Sequence, residues 1–216
     1  MAETYIRLLA PINQNSAGSL FHAVDTAMKA GTERIHLFIS SPGGDVAQGI
    51  SIYNYLKLLP AEVYTYNFGS VDSIGVIIFC AGTKRLSVPH ARFLIHGVQM
   101  NLQGQGIISL DEKQLEEMLK GLKIDQENIA RIISDATGKS VDQIQDVMNA
   151  RTTLTPDQAK GFGLVQEFTT EKIPAGTNVI SITAENGMPF QIPGPMPIQI
   201  PMQLPPRMQR IVSENK

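Results

Sequence analysis

The sequence predicts an α/β fold built on a largely parallel sheet, and three observations support this prediction. Short runs rich in β-branched and aromatic residues alternate along the chain with segments of helical apolar spacing. Turn residues, mostly glycine and proline, stand at the joins between these segments. Apolar residues make up 43% of the 216 residues, which is enough to form a packed core.

The first half of the chain contains three predicted strand–turn–helix units. The strands are predicted at 5–10, 35–40 and 63–68, and the helices at 16–30, 46–59 and 74–81. Gly31 and Pro60 stand where the first and second helices should end. The third helix is predicted from a continuous apolar run. Apolar residues of the first helix share one face: Leu20, Ala23, Val24, Ala27 and Met28.

The second half begins with short strands at 85–88 and 92–96. A long amphipathic helix is predicted at 110–137, followed by a short helix at 141–148 that Ser140 caps. A further helix begins near 154, and Gly163 precedes a last strand. The apolar side of the long helix comprises Leu115, Met118, Leu119, Leu122, Ile129, Ile132 and Ile133.

The alternating pattern ends at Phe168, so we predict a folded domain at 1–168 and a Pro-rich C-terminal extension at 169–216. Prolines recur too often after Ile192 for a helix to form, which favours an extended local form. Two readings remain open, a disordered tail or an arm that docks on a neighbouring subunit or a partner. Eight of the 13 prolines lie in this extension: Pro174, Pro189, Pro193, Pro195, Pro197, Pro201, Pro205 and Pro206.

Charge and composition disfavour several classes of function. The 18 basic and 20 acidic residues give a net charge of −2, without the basic excess of a nucleic-acid binder. The longest apolar run, 76–81, is too short to span a membrane, and no signal peptide precedes the first strand. Cys80 is the single cysteine, and the four histidines lack ligand spacing, so we expect neither disulfide nor metal nor cofactor. We expect a cytoplasmic protein.

Ser73 is the candidate nucleophile. It follows a strand and a glycine-containing turn, and it opens an apolar helix. This setting exposes a hydroxyl at the carboxyl end of a parallel strand, where α/β sheets place their sites. The N–H of Ile74 would then point from the start of the helix toward an oxyanion. The alternative is that Ser73 is simply a helix N-cap.

A second strand-to-helix turn contains Gly43 and Gly44, and a histidine ends a later strand. Paired glycines let backbone N–H groups approach an oxyanion or a phosphate, although a tight turn that binds nothing is the alternative. His96 follows a β-rich run and stands where a general base belongs. A hydrogen-bonded structural histidine is the alternative there.

The order of these motifs resembles the Clp protease proteolytic subunit over about residues 5–168. The motifs are Ser-Pro-Gly-Gly, then Gly-x-x-x-Ser-x-Gly, a strand ending in Ile-His, a long helix, and Leu-Thr-Pro-x-x-Ala-x-x-x-Gly-Leu-Val. The resemblance implies a crotonase-like fold and stacked rings, seven subunits each, around a peptidase chamber. It implies Ser73 as nucleophile, His96 as base, and the N–H groups of Gly44 and Ile74 as the oxyanion hole beside Gly43. The helix at 110–137, preceded by Gln-Gly-Gln-Gly at 103–106, would join two rings.

The sequence departs from the family pattern in three places. Arg151 occupies the position expected for the catalytic Asp, and Asp146, Asn149 and Asp72 are possible substitutes. Only residues 1–4 precede the first strand, so the axial segment that meets an ATP-driven AAA+ unfoldase in the family is expected to be missing. The resemblance therefore supports an unfoldase partner only weakly. The Pro-rich extension is not part of the family core.

Three hypotheses follow. The first is a serine endopeptidase subunit that hydrolyses peptide bonds inside a homo-oligomeric chamber. The second is a pseudo-protease subunit with an assembly or binding role, because Arg151 replaces the acid. The third is an acyl-CoA enzyme of the wider superfamily, which would need a catalytic carboxylate from Asp72 or Asp45 beside the glycine turns.

Overall fold

A computed structural model describes residues 2–99, 110–170 and 172–184. The strands of this part are β1 Glu3–Leu9, β2 Arg34–Ser41, β3 Glu62–Asp72, β4 Lys84–Ser87, β5 Arg92–Ile95, β6 Thr152–Leu154, β7 Glu167–Phe168 and β8 Val179–Thr183. The helices are α1 Gln14–Lys29, α2 Val46–Leu58, α3 Gly75–Cys80, α4 Glu112–Thr137, α5 Val141–Asn149 and α6 Pro156–Phe162. Most of these elements begin and end close to the predicted positions.

One mixed sheet organises the described part of the chain. Its strand order is β6-β5-β3-β2-β1-β8, with β4 paired to β3 and β7 paired to β4. Every pairing is parallel except that of β5 with β6. The predicted α/β class with a largely parallel sheet is therefore confirmed. Parallel strands bring the loops that follow β1, β2 and β3 to one edge of the sheet.

The sheet contains two strands that the apolar pattern did not predict. The three-residue β6 pairs antiparallel with the end of β5. Strand β8 pairs with β1 and belongs to the compact unit Met1–Ala184, so the sheet continues past the predicted boundary at Phe168. The rest of the Pro-rich extension, from 185 onward, lies outside the described residues, as does the Gln-Gly-Gln-Gly segment at 103–106.

Strand β3 extends to Asp72 and so takes in most of the turn that the sequence predicts at 69–73. The polar stretch Gly-Ser-Val-Asp indicated a loop, but Ser70, Val71 and Asp72 pair with β5. A register irregularity between Ile39 and Ser41 lets β2 follow this longer strand. The extension carries the chain to Ser73 at the edge of the sheet.

The core packs helices against one face of the sheet. Helix α3 is buried along its whole length, and Phe79 packs edge-on against Phe93 with 5.1 Å between ring centroids. Burial removes apolar surface from water and holds α3 against β5. The turn before α3 is therefore fixed at both ends. Across the described residues, no helix is long and apolar enough to cross a membrane.

Arg85 joins the long helix α4 to the sheet. Its guanidinium is buried and donates to the carbonyl oxygens of Leu164 at 2.9 Å and Ala136 at 2.7 Å. These carbonyls lie at or just beyond the ends of α6 and α4, where the helix dipoles concentrate negative charge. In the described part of the chain, no carboxylate forms an ion pair with Arg85, so backbone dipoles compensate its charge.

We expect Arg85→Lys to lower the free energy of unfolding by about 2–4 kcal/mol, because a lysine ammonium cannot reach the diverging carbonyls that the planar guanidinium bonds. Urea unfolding followed by circular dichroism at one protein concentration measures the loss. Arg131→Lys is the matched control, since Arg131 forms an exposed pair with Glu127; it should cost less than about 1 kcal/mol. Equal losses in the two variants would contradict this account of Arg85.

Candidate active site

Ser73 lies in a strained turn between β3 and α3. Its φ angle is 57°, a left-handed conformation that non-glycine residues rarely adopt. Its N–H donates to the carbonyl oxygen of Leu94 at 2.8 Å, which ties the turn to β5. The N-cap position of α3 is Ile74, and no side-chain hydrogen bond caps this helix. The N-cap reading of Ser73 is therefore wrong, and its half-buried hydroxyl is available for another role.

The Gly43-Gly44 turn packs against Ser73 on one side and against Ile12 on the other. Both glycines have positive φ, 86° and 146°. A β-carbon at Gly43 would lie 2.6 Å from Cβ of Ser73, and one at Gly44 would lie 2.2 Å from the carbonyl oxygen of Ile12. No side chain fits at either position. The turn needs glycine because two strand-to-helix connections meet there.

Two backbone N–H groups are left for an oxyanion. Ile12 donates to Gly43 and accepts from Asp45, and this bridge turns the N–H of Gly44 to the opposite side. Within the described residues, neither Gly44 nor Ile74 donates its N–H to a backbone carbonyl. Unpaired backbone donors that are held in place can stabilise a developing negative charge.

His96 directly follows β5, one strand away from Ser73. Its Nδ1 forms a hydrogen bond of 2.7 Å with the carbonyl oxygen of Gly97. The ring is half-buried, and its other nitrogen, Nε2, makes no hydrogen bond within the described part of the chain. No hydrogen bond joins Ser73 to His96 in the described structure. A loose nucleophile–base pair is common in proteins without bound substrate.

One cleft of about 160 Å³ brings the predicted site residues together. Ser73 and His96 line it, and so do Gly44 and Ile74. Gly43 does not line the cleft but packs against the side chain of Ser73. The remaining lining residues are Val46, Ile95, Gly97, Val98, Gln99, Ile129 and Ile133. Its mixed lining suits a segment of polypeptide that presents both apolar side chains and backbone polar groups.

The possible third members of a triad do not reach His96 through a hydrogen bond in the described structure. Asp146 and Asn149 are exposed on α5. Asp72 is buried and pairs with Arg92 at 2.8 Å. Arg151 is exposed and has a positive φ of 53°. The structure therefore brings together the predicted nucleophile, base and oxyanion donors, and within the described residues none of the candidate third members bonds to His96.

The described residues also bear on the acyl-CoA and metal hypotheses. None of the described residues lining the cleft is a carboxylate, and Asp45 accepts the N–H of Gln48 at the start of α2. The acid that an acyl-CoA enzyme would need is thus missing from this part of the site. Among the described residues, no group of three His, Cys, Asp or Glu side chains could hold a metal ion.

Sequence reasoning missed two contributions to the site. The long helix α4 supplies Ile129 and Ile133 as an apolar wall, although its apolar face suggested only assembly. Ile12, in the loop after β1, supports the glycine turn through its backbone. The apolar pattern of a helix does not distinguish residues that line a cleft from residues that pack in the core. A backbone contact cannot be predicted from residue type, because nearly every residue carries the same backbone groups.

Comparison with known proteins identifies the family. The family model described as Clp protease matches residues 1–172, so the chain belongs to the Clp protease family. The chain is 37% identical over 155 residues to an ATP-dependent Clp protease proteolytic subunit of Bdellovibrio bacteriovorus, covering 71% of this chain and 70% of that relative. A proteolytic subunit 3 of Rhizobium meliloti is 34% identical over 167 residues, covering 76% and 83%.

A solved structure gives the same assignment for the fold. A ClpP1 mutant from Listeria monocytogenes superposes with a TM-score of 0.68 at 28% identity, covering 78% of this chain and 92% of that chain. The fold is therefore crotonase-like, and the resemblance to the ClpP subunit is confirmed. The chain is a divergent ClpP-like protein.

We expect Gly43→Ala to impair any chemistry at Ser73, because the new methyl group would occupy the space of the serine Cβ. The rate of Ser73 phosphonylation by a fluorophosphonate, in which the serine oxygen displaces fluoride from phosphorus, should fall at least about 100-fold, a loss typical of a site displaced by about 1 Å. Gly176→Ala is the matched control. Its φ is 81°, close to the 86° of Gly43, but a β-carbon there meets nothing within 4 Å. An unchanged rate in folded Gly43→Ala would contradict this packing argument.

Proposed function

We propose that the chain is a serine-type endopeptidase subunit that hydrolyses peptide bonds. The observation that carries this proposal is the single cleft that Ser73, His96, Gly44 and Ile74 line together. Family membership supports it, since the relatives are proteolytic subunits. In this proposal the substrate is an extended polypeptide, and no metal or cofactor takes part.

In the proposed chemistry, His96 first takes and then gives a proton in each of the two half-reactions. His96 Nε2 takes the proton of Ser73 Oγ as the oxygen attacks the scissile carbonyl carbon. The N–H groups of Gly44 and Ile74 stabilise the negative oxygen of the tetrahedral intermediate. His96 then gives the proton to the leaving amine. In the second half-reaction, His96 takes a proton from water as the water attacks the acyl carbon, and it returns this proton to Ser73 Oγ as the ester bond breaks. Substrate binding would tighten the Ser73–His96 pair.

We further propose that the subunit acts in a homo-oligomer. Helix α4 exposes apolar side chains at 52% for Leu115, 52% for Leu119 and 49% for Ile124. Leu115 and Leu119 lie one turn apart and form an exposed apolar stripe, which favours burial against another protein surface. Stacked heptameric rings in the cytoplasm are what the family resemblance implies. An AAA+ unfoldase is a weaker proposal, prompted by the word "ATP-dependent" in the names of the relatives.

A catalytically impaired subunit with an assembly or binding role is the second candidate. Arg151 favours it, because the acid that orients the histidine in a Ser–His–Asp triad contributes about 10⁴-fold to turnover. A guanidinium close to His96 would also oppose protonation of the imidazole. The two candidates differ in one property, the reactivity of Ser73.

The reactivity of Ser73 separates these candidates. We expect a fluorophosphonate probe to form an adduct on the Ser73-containing peptide, detected by mass spectrometry, and a fluorogenic peptide to be hydrolysed. Ser73→Ala and His96→Ala should each lower hydrolysis by about 10³-fold or more. Ser51→Ala is the control, since Ser51 lies on the exposed face of α2. A folded, oligomeric protein that neither forms the adduct nor cleaves peptides would support the pseudo-protease.

Assembly through α4 makes a separate prediction. Leu119→Lys should shift the sedimentation coefficient to that of a smaller species, because each buried leucine contributes about 2 kcal/mol per subunit. Glu116→Lys is the control, since Glu116 is an exposed polar residue of the same helix. If Leu119→Lys leaves sedimentation unchanged, this stripe is not the assembly surface.

A further inference from the structure

We infer that the main-chain carbonyl of Gly97 is the group that orients His96, in the role a triad carboxylate would have. This inference rests on the proposed peptidase function and names its missing third group. The observation behind it is the 2.7 Å hydrogen bond between His96 Nδ1 and the Gly97 carbonyl oxygen.

The direction of this hydrogen bond sets the tautomer of His96. A carbonyl oxygen can only accept, so Nδ1 carries the proton in the neutral ring. Nε2 then presents its lone pair, and this nitrogen is free to take the Ser73 proton. A carboxylate behind the histidine of a triad imposes the same tautomer. The carbonyl therefore supplies orientation without supplying a full negative charge.

Gly97 itself is fixed from two sides. Its N–H donates to the carbonyl oxygen of Met148 at 3.1 Å, and Met148 is fully buried at the end of α5. A β-carbon at Gly97 would lie 3.3 Å from Oε1 of Gln126 on α4. The peptide that bears the orienting carbonyl is thus held between two helices. An acceptor fixed in this way costs no reorganisation when the imidazole becomes cationic.

Position 151 is adjacent to His96 yet provides no acceptor. Strands β5 and β6 pair Ile95 with Thr152, so the next position along this antiparallel register places Arg151 opposite His96. The Arg151 N–H donates to the same Met148 carbonyl that binds Gly97, at 3.2 Å. Its φ of 53° is a conformation that Asp and Asn adopt more readily than most residues. An acid could therefore occupy this place without added backbone strain.

Two consequences follow for the wild-type enzyme. Because a neutral carbonyl stabilises an imidazolium less than a carboxylate does, turnover should be slower than in a full triad. Arg151 itself takes no part in orienting the base. Its removal should therefore matter little, whereas an acid placed there should help.

The first test measures the tautomer and then weakens the acceptor. In ¹⁵N spectra of full-length protein labelled in its histidine rings, with His96→Ala for assignment, neutral His96 should carry its proton on Nδ1. Replacing Val98 by its α-hydroxy acid converts the Gly97 carbonyl to an ester, a poorer acceptor. The population of the Nδ1–H form and kcat should both fall, kcat by about tenfold. The same replacement at Ala175, which alters the Pro174 carbonyl in an exposed turn outside the cleft, is the control and should change neither.

The second test places an acid opposite His96. Arg151→Ala should keep kcat within about threefold of wild type, and Arg151→Asp should raise kcat and move the acidic limb of the kcat–pH profile to higher pH, because a carboxylate opposite His96 favours the protonated imidazole. Arg151→Asn isolates the charge and should resemble Arg151→Ala. A loss of 100-fold in Asp72→Asn or Asp146→Asn, with the fold intact, would overturn the inference, as would an Nε2–H tautomer. An Nδ1–H tautomer in a protein without Ser73 reactivity would overturn the peptidase function alone.

Discussion

The close approach of three loops at the carboxyl edge of the sheet is the constraint on which the site depends. The Gly43-Gly44 turn is pressed between the loop of Ile12 and the turn of Ser73, with no room for a β-carbon on either glycine. Parallel pairing of β1, β2 and β3 brings these loops together. The same packing holds Ser73 at positive φ, so the strain of this turn is compensated by the core behind it.

Most elements of this fold could be predicted because their apolar periodicity is long enough to be unambiguous. Strands β1 to β3 and helices α1, α2 and α4 follow this rule. Strand β6 has three residues, too few to show a period, and β8 lies after Phe168 in the segment that was assigned to the Pro-rich extension. Ser73 and His96 were recognisable from strand-end position and motif. The carbonyl of Gly97 was not, since a backbone acceptor depends on conformation and any residue carries one.

Helix α4 serves the cleft and the proposed assembly with different parts of its length. Ile129 and Ile133, toward its end, form a wall of the site, whereas Leu115 and Leu119, near its start, are exposed. Arg85 holds the end of the helix through the Ala136 carbonyl. The portion beside the cleft is therefore anchored to the sheet, and in the proposed assembly another subunit would support the exposed portion. Loss of this assembly would then alter the cleft wall, because one continuous helix carries both the exposed leucines and the lining isoleucines.

The burial of Cys80 has a practical consequence. The thiol is enclosed in α3, and desolvation raises its pKa to about 12, so it reacts with neither oxidants nor alkylating reagents while the core is closed. As the single cysteine of the chain, it becomes reactive only when α3 leaves the sheet. The rate of alkylation thus reports opening of the core without any added label. If a variant lacks activity but its Cys80 thiol still resists alkylation, the core is intact and the substitution has affected the reaction itself.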